Sequence, residues 1–178
     1  MSDLYPDTYA LKAPSRKTLK SWALNIALLL SVYFLVQAYQ GRNAPQSGPA
    51  PDILAVDISG QYIELKHYQG TPTLIYFWAT WCRVCSLMRA SIDNIAQDHP
   101  VITIASQSGD NEKIQVYQQQ YQFDVTIIND EQGQLGQAYG VQAFPSVFIL
   151  DSKGNISDVE IGLSSEWGLR LRLWWAGW

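Results

Sequence analysis

Cysteine, histidine and charge are all scarce in this chain. Two cysteines are too few to build a disulfide scaffold. Two histidines, His67 and His99, could in principle join them, but no patterned spacing ties these four residues into a tetrahedral zinc site. Both histidines read as solvated or packed side chains. Charged residues make up only 16% of the sequence and the net charge is −4, with no basic cluster on any segment able to fold, so nucleic-acid binding is not expected. There is no internal repeat, and the Gln118–Gln120 run is too short to count as low complexity. What the chain does have is apolar content, 47% over 178 residues, which bounds it to one globular domain of ordinary size with something added.

The addition lies at the N-terminus. Lys12, Arg16, Lys17 and Lys20 precede a stretch from Trp22 to Tyr39 that carries no charge. As helix it would span about 27 Å, just under the ~30 Å hydrocarbon core of a bilayer. Trp22 and Tyr39 suit the two interfaces, and the basic residues on one side against Arg42 alone on the other predict an N-in, C-out span. A cleaved signal peptide is the rival, with Val36-Gln37-Ala38 as its cleavage site. Against it, the apolar stretch is long for a signal core and a long tail precedes it. A buried soluble helix is the third reading. The first two both export everything that follows. The expected organisation is a cytoplasmic tail over 1–21, an anchor over 22–39, a Gly/Pro/Ser-rich linker over 40–51 and a folded domain over 52–178.

Within that domain the punctuation is α/β. Ile53–Ile58 and Gln61–Leu65 read as a hairpin turned at Ser59-Gly60. Thr73–Trp78 and Val101–Ala105 are apolar runs of the kind covered on both faces of a sheet. Cys85–Gln97 predicts a helix with Met88, Ile92 and Ile95 on one side. Asn111–Tyr121 predicts another, capped by Asp110. Val125–Ile128 follows as strand and Gln134–Tyr139 as a short helix stopped at Gly140. Ser146–Leu150 and Ile156–Ile161 form a hairpin about "DSKGN". The last helix begins near Ser164 or Ser165, and Trp167, Leu171, Trp174 and Trp178 fall on one face of it, expected to pack on the sheet, with contact of Trp174, Trp175 and Trp178 with the membrane interface as the alternative. Parallel βαβ units followed by a hairpin and a helix predict a mixed sheet with helices on both faces.

The chemistry concentrates in "FWATWCRVC". A buried strand delivers Cys82 to the C-terminal edge of the sheet, the usual place for a reactive site in open α/β folds. A helix starts there, and its unpaired N–H groups and positive dipole end favour a thiolate. Arg83 adds a positive charge. The Cys82 pKa is expected below the ordinary thiol value of about 8.5. Such a thiolate attacks disulfides, and Cys85 one turn on can resolve the mixed disulfide that forms. An inert bridge has little reason to close so short a loop, because the entropic benefit of a disulfide grows with loop length.

These residues resemble the active site of the thioredoxin superfamily. "AVDISGQYIELKHYQGTP" is similar to the N-terminal hairpin of its membrane-anchored TlpA-like branch. "VITIASQSGDNEKIQVYQQQY", "IINDEQGQLGQAYGVQAFPSVFILDSKG" and "SSEWGLRLRLWWAGW" resemble the disulfide oxidoreductases of the suppressor-of-copper-sensitivity D type. The resemblance covers nearly all of 52–178. It implies a thioredoxin-like α/β fold after one transmembrane helix, with Pro145 as the family's cis-proline lying against the cysteine pair. It further implies that the Phe144 backbone pairs with an extended substrate, that Trp81 presents an apolar surface to partners, and that Arg83 and Val84 tune the redox potential. Trp78 reads equally well as core.

Two departures stand out. Cytoplasmic thioredoxins carry a buried aspartate on the active-site strand where this chain has Tyr76, so the base is missing, replaced by water, or relocated, with Glu64, Asp57 and Glu160 as candidates. Relatives devoted to cytochrome c maturation commonly have glutamate after the cis-proline, where this chain has Ser146. The expected protein is thus a bacterial inner-membrane, periplasm-facing thiol–disulfide oxidoreductase. It would act on protein thiols and disulfides, need no dissociable cofactor or metal, and be served by a transmembrane thiol–disulfide relay. Alternatives are a Cu(I)-handling module using the two thiolates and a cytochrome c maturation thioredoxin. A peroxide-reducing enzyme is disfavoured because Ile75 and Ala79 replace the proline and threonine expected before a peroxidatic cysteine.

Overall fold

A computed structural model describes residues 22, 24–32, 35 and 47–178. It divides into two compact units, Met1–Ala38 and Tyr39–Trp178. In the first unit the described residues are helical and exposed. Among the described residues no helix is long and apolar enough to cross a membrane. The expected tail over 1–21, and the rest of the expected anchor and linker up to Gln46, lie outside the described residues.

The second unit is built on a six-stranded sheet in the order β1-β8-β7-β4-β5-β6. Its strands are β1 (Gly48–Pro49), β4 (Thr73–Trp78), β5 (Val101–Ser106), β6 (Thr126–Asp130), β7 (Ser146–Leu150) and β8 (Asn155–Ile161). β4, β5 and β6 run parallel. β7 is antiparallel to β4, and β8 to β7. β4 is buried at every residue, as a central strand covered on both faces must be. β2 (Leu54–Val56) and β3 (Tyr62–Glu64) make the small hairpin. Asp57 organises its turn, accepting from the N–H groups of Ser59 and Gln61 and from the Ser59 hydroxyl.

Alternation along the strands divides the core in two. Leu74, Tyr76 and Trp78 face α1 (Arg83–Ala96), α2 (Asn111–Tyr121) and α4 (Glu166–Ala176). Ile75 and Phe77 face the hairpin, the 3-10 turn Leu65–Tyr68 and α3 (Gln134–Ala138). Met88, Ile92 and Ile95 are the buried stripe of α1, at the expected spacing. Each fully buried side chain of this kind contributes roughly 1.5–3 kcal/mol of hydrophobic stabilisation. Asp110 caps α2 by accepting from Lys113 N–H.

The structure departs from expectation at both ends of the domain. Residues read as linker from their Gly and Pro content supply an edge strand: Gly48 and Pro49 pair with Ile156 and Asn155, and Ala50 N–H donates to Gly154. Proline has no N–H to offer a ladder and is tolerated only at such an edge. At the other end, the tryptophan face of α4 does not pack on the sheet. Leu169, Leu173 and Ala176 are buried instead, while Trp167, Leu171, Trp174 and Trp178 are exposed.

Candidate functional site

β4 ends at Trp78, and the chain turns through Ala79, Thr80 and Trp81 into α1. The helix begins at Arg83 rather than at Cys85, so Cys82 is its N-cap. The Cys82 sulfur accepts the Cys85 N–H at 3.1 Å, one of the donors a helix start leaves unpaired. Cys82 and Cys85 are joined as a disulfide, with their Cα atoms 5.3 Å apart. Both are largely covered, Cys82 at 9% exposure against 2% for Cys85. Cys82 is thus the more exposed residue of the pair, its sulfur held against the Cys85 N–H at the positive end of the helix. That setting stabilises negative charge on it.

Arg83 and Val84 are exposed on the first turn of α1. Trp81 is 63% exposed. Its indole N–H donates to the Gln107 carbonyl at 3.0 Å, and its ring meets Phe144 edge-on with centroids 5.7 Å apart. The Phe144–Pro145 peptide is cis. Phe144 is half-buried against the core cluster that contains both cysteines. The Pro145 carbonyl is occupied by Gly162 N–H, whereas no described backbone group bonds to the Phe144 N–H or C=O. Ser146 turns its hydroxyl back onto the Ala143 carbonyl at 2.8 Å. The structure thus brings Phe144 to the segment Trp81, Cys82, Arg83, Val84 and Cys85, with Pro145 following Phe144 in the chain. Trp78 is core, packed on Tyr117 and Phe123.

None of the three carboxylates considered as proton carriers is aimed at the pair. Asp57 is committed to its turn beside β6. Glu64 lies by His67 at 3.6 Å. Glu160 is bound by Arg172 of α4. The polar group that does reach the site is Tyr76, whose hydroxyl donates to the Cys85 carbonyl at 3.3 Å. Burial, reinforced by Tyr117 and opposed by Arg89, pushes its phenol well above the ordinary tyrosine value.

Sequence reasoning missed the loop after β5. Ser108 accepts from Thr80 N–H, and Gln107, at φ 49°, presents its carbonyl to Trp81. Together they fix the turn that carries Cys82. Nothing in their type or spacing marks them, because the contacts join segments far apart in the chain.

A mixed sheet with this helix arrangement, a disulfide-bonded cysteine pair at the start of the helix after the central strand and a cis-proline just before β7 define a thioredoxin-fold thiol–disulfide oxidoreductase. A sequence profile of the AhpC/TSA family matches residues 47–159, and the chain belongs to that family. The matched span begins one residue before β1. A thioredoxin-like protein of Haemophilus influenzae is 33% identical over 122 residues, covering 67% of this chain and 72% of the relative. The thiol:disulfide interchange protein DsbE of Pseudomonas fluorescens is 28% identical, covering 83% of this chain and 89% of that protein. Among solved structures, a putative thiol:disulfide interchange protein DsbE from Chlorobium tepidum superposes with a TM-score of 0.65 at 21% identity. It covers 75% of this chain and 98% of its own.

Proposed function

We propose that this protein is a membrane-anchored, periplasm-facing oxidoreductase that exchanges disulfides with protein substrates through Cys82 and Cys85. The observation that carries the exchange chemistry is the Cys82 sulfur at the N-cap of α1, accepting the Cys85 N–H while Cys85 lies beneath it. In the reducing direction the Cys82 thiolate attacks one sulfur of a substrate disulfide. That bond breaks, one substrate thiolate leaves, and a mixed disulfide joins Cys82 to the other sulfur. Cys85 gives up its proton and attacks Cys82, expelling the second substrate thiolate. Two electrons have passed to the substrate, and the pair is left as the disulfide seen here. The oxidising direction is the same sequence reversed. No dissociable cofactor enters, since the pair carries both electrons.

The Phe144 backbone, with no described backbone partner for its N–H or C=O, supports docking of an extended substrate strand there. The compartment and anchor follow from the uncharged 22–39 stretch and its basic flank, and from redox logic. Disulfides persist outside the reducing cytosol, so a reductant working there needs electrons delivered across the membrane by a thiol–disulfide relay.

Two considerations bear on direction. Resemblance to the anchored TlpA-like branch favours a reductant, while Arg83 and the helix terminus stabilise the reduced thiolate and favour an oxidant. Equilibration of the protein against glutathione decides between them. A potential near about −120 to −150 mV marks an oxidant, and one at or below about −220 mV a reductant. In either case Cys85→Ala should accumulate mixed disulfides with substrates and Cys82→Ser should not. Absence of any redox transition would end the exchange reading.

A further inference from the structure

Helix α4 carries two apolar faces, and the fold uses one. Leu169, Leu173 and Ala176 close the core. The other face presents Trp167, Leu171, Trp174, Trp175 and, just past the helix end, Trp178, with Trp167 82% and Trp178 92% exposed. Trp174 lies against Trp178 and Trp175 at centroid distances of 5.6 and 6.4 Å, so these three indoles form one continuous surface. Four of the seven tryptophans in the chain stand here. The flanking arginines are already neutralised, Arg170 by Asp98 and Glu166, and Arg172 by Asp158 and Glu160.

Register places this surface. Gly48, Ile156, Leu150 and Thr73 form one row across the sheet. The chain therefore joins the sheet at the end where β4 starts. Gly177 sits against Pro72, so α4 ends at that same end. Cys82 follows the opposite end of β4, which spans roughly 20 Å. From Tyr39, where the uncharged stretch stops, to Gly48 the chain reaches at most about 30 Å.

We propose that the indole face at the end of α4 docks into the headgroup region of the phospholipid bilayer, holding the domain with its disulfide turned away from the membrane. Tryptophan suits that interface because its ring is apolar and its N–H is polar, and no N–H of these four indoles bonds to a described protein group. A tether this short keeps the face within reach of the membrane, so weak intrinsic affinity suffices. With its arginines neutralised, the face should bind zwitterionic and anionic lipid alike. The proposal rests on the anchored reading above.

The test uses the full chain, with a protease site placed between Arg42 and Gln46, reconstituted into phosphatidylcholine vesicles and cut after reconstitution. The released domain should float with the vesicles. In the Trp174→Ala, Trp175→Ala, Trp178→Ala triple variant the floated fraction should fall by about tenfold or more, since interfacial binding scales with apolar area. A triple phenylalanine variant should recover much of it. These side chains are exposed, so circular dichroism and disulfide-exchange rate with a small-molecule disulfide should be unchanged.

A wild-type domain that no longer floats once cut overturns the proposal. The uncut chain then reports separately on the anchor: it floats if the anchored reading holds, and stays in the dense fraction if that fails as well. Binding that requires phosphatidylglycerol and survives the triple alanine change also overturns it. So does a lipid-free dimer, or retention of the released domain by its own N-terminal fragment, that the triple variant abolishes, because the face then has a protein occupant.

Discussion

Tyr76 occupies the strand position where thioredoxins of the cytoplasm bury an aspartate, and it changes what that position can do. Its phenol stays protonated at neutral pH, because burial holds its pKa well above the ordinary value. It can donate to the Cys85 carbonyl but cannot take the Cys85 proton. The Tyr76→Phe variant should lose about 0.5–1.5 kcal/mol of stability, the net worth of one such hydrogen bond. The pH profile of Cys82 alkylation in the reduced protein should not move. A displaced midpoint would show that the phenol titrates with the pair, contrary to its role as a fixed donor.

Elements matter here mainly as supports for that pair. α1 presents Cys82 at its N-terminus only because Met88, Ile92 and Ile95 hold its other turns on the sheet. Ile92→Ala should cost about 2–5 kcal/mol in denaturant unfolding. The β7–β8 hairpin carries the cis-proline strand, and its turn depends on Asp151. That carboxylate accepts from the N–H groups of Lys153 and Asn155 and from the Asn155 side chain. Burial alone would raise its pKa, but those hydrogen bonds outweigh it and leave the carboxyl below its ordinary 3.8. A depressed folded pKa means the stabilisation is complete above the unfolded value and is lost as pH falls below it. Asp151→Ala should therefore cost about 1–2 kcal/mol at pH 7, and the difference from wild type should shrink as pH drops below 3.8. A constant difference across that range would show that the charge is not what holds the turn.

For the whole molecule, the boundary of the folded unit is itself testable. A chain beginning at Ser47 keeps β1, while one beginning at Asp52 loses its pairing with Ile156 and Asn155 and the Ala50–Gly154 bond. The shorter chain should be less stable by about 1–3 kcal/mol, a few backbone hydrogen bonds' worth, with its redox potential unchanged. Equal stability would mean that the edge strand contributes nothing.

Sequence by itself determined the strands buried on both faces, the helix after Cys82, the capped start of α2 and the place of the cysteine pair at a helix start. Each of these rests on residues close together in the chain, where hydrophobic period, turn chemistry and helix-terminus electrostatics act directly. Tertiary structure alone decided the rest. Composition placed Gly48 and Pro49 in a linker, but an edge strand is made by its partner, and β8 lies a hundred residues on. Thr80 and Trp81 are fixed by Ser108 and Gln107 through contacts that no spacing announces. α4 shows the limit most plainly. Its tryptophans and its Leu169–Leu173–Ala176 stripe are both helical faces, and periodicity says only that a face exists. Which of them meets the sheet depends on what fits against α1 and β7: the small, aliphatic face does, and the indoles are left outside.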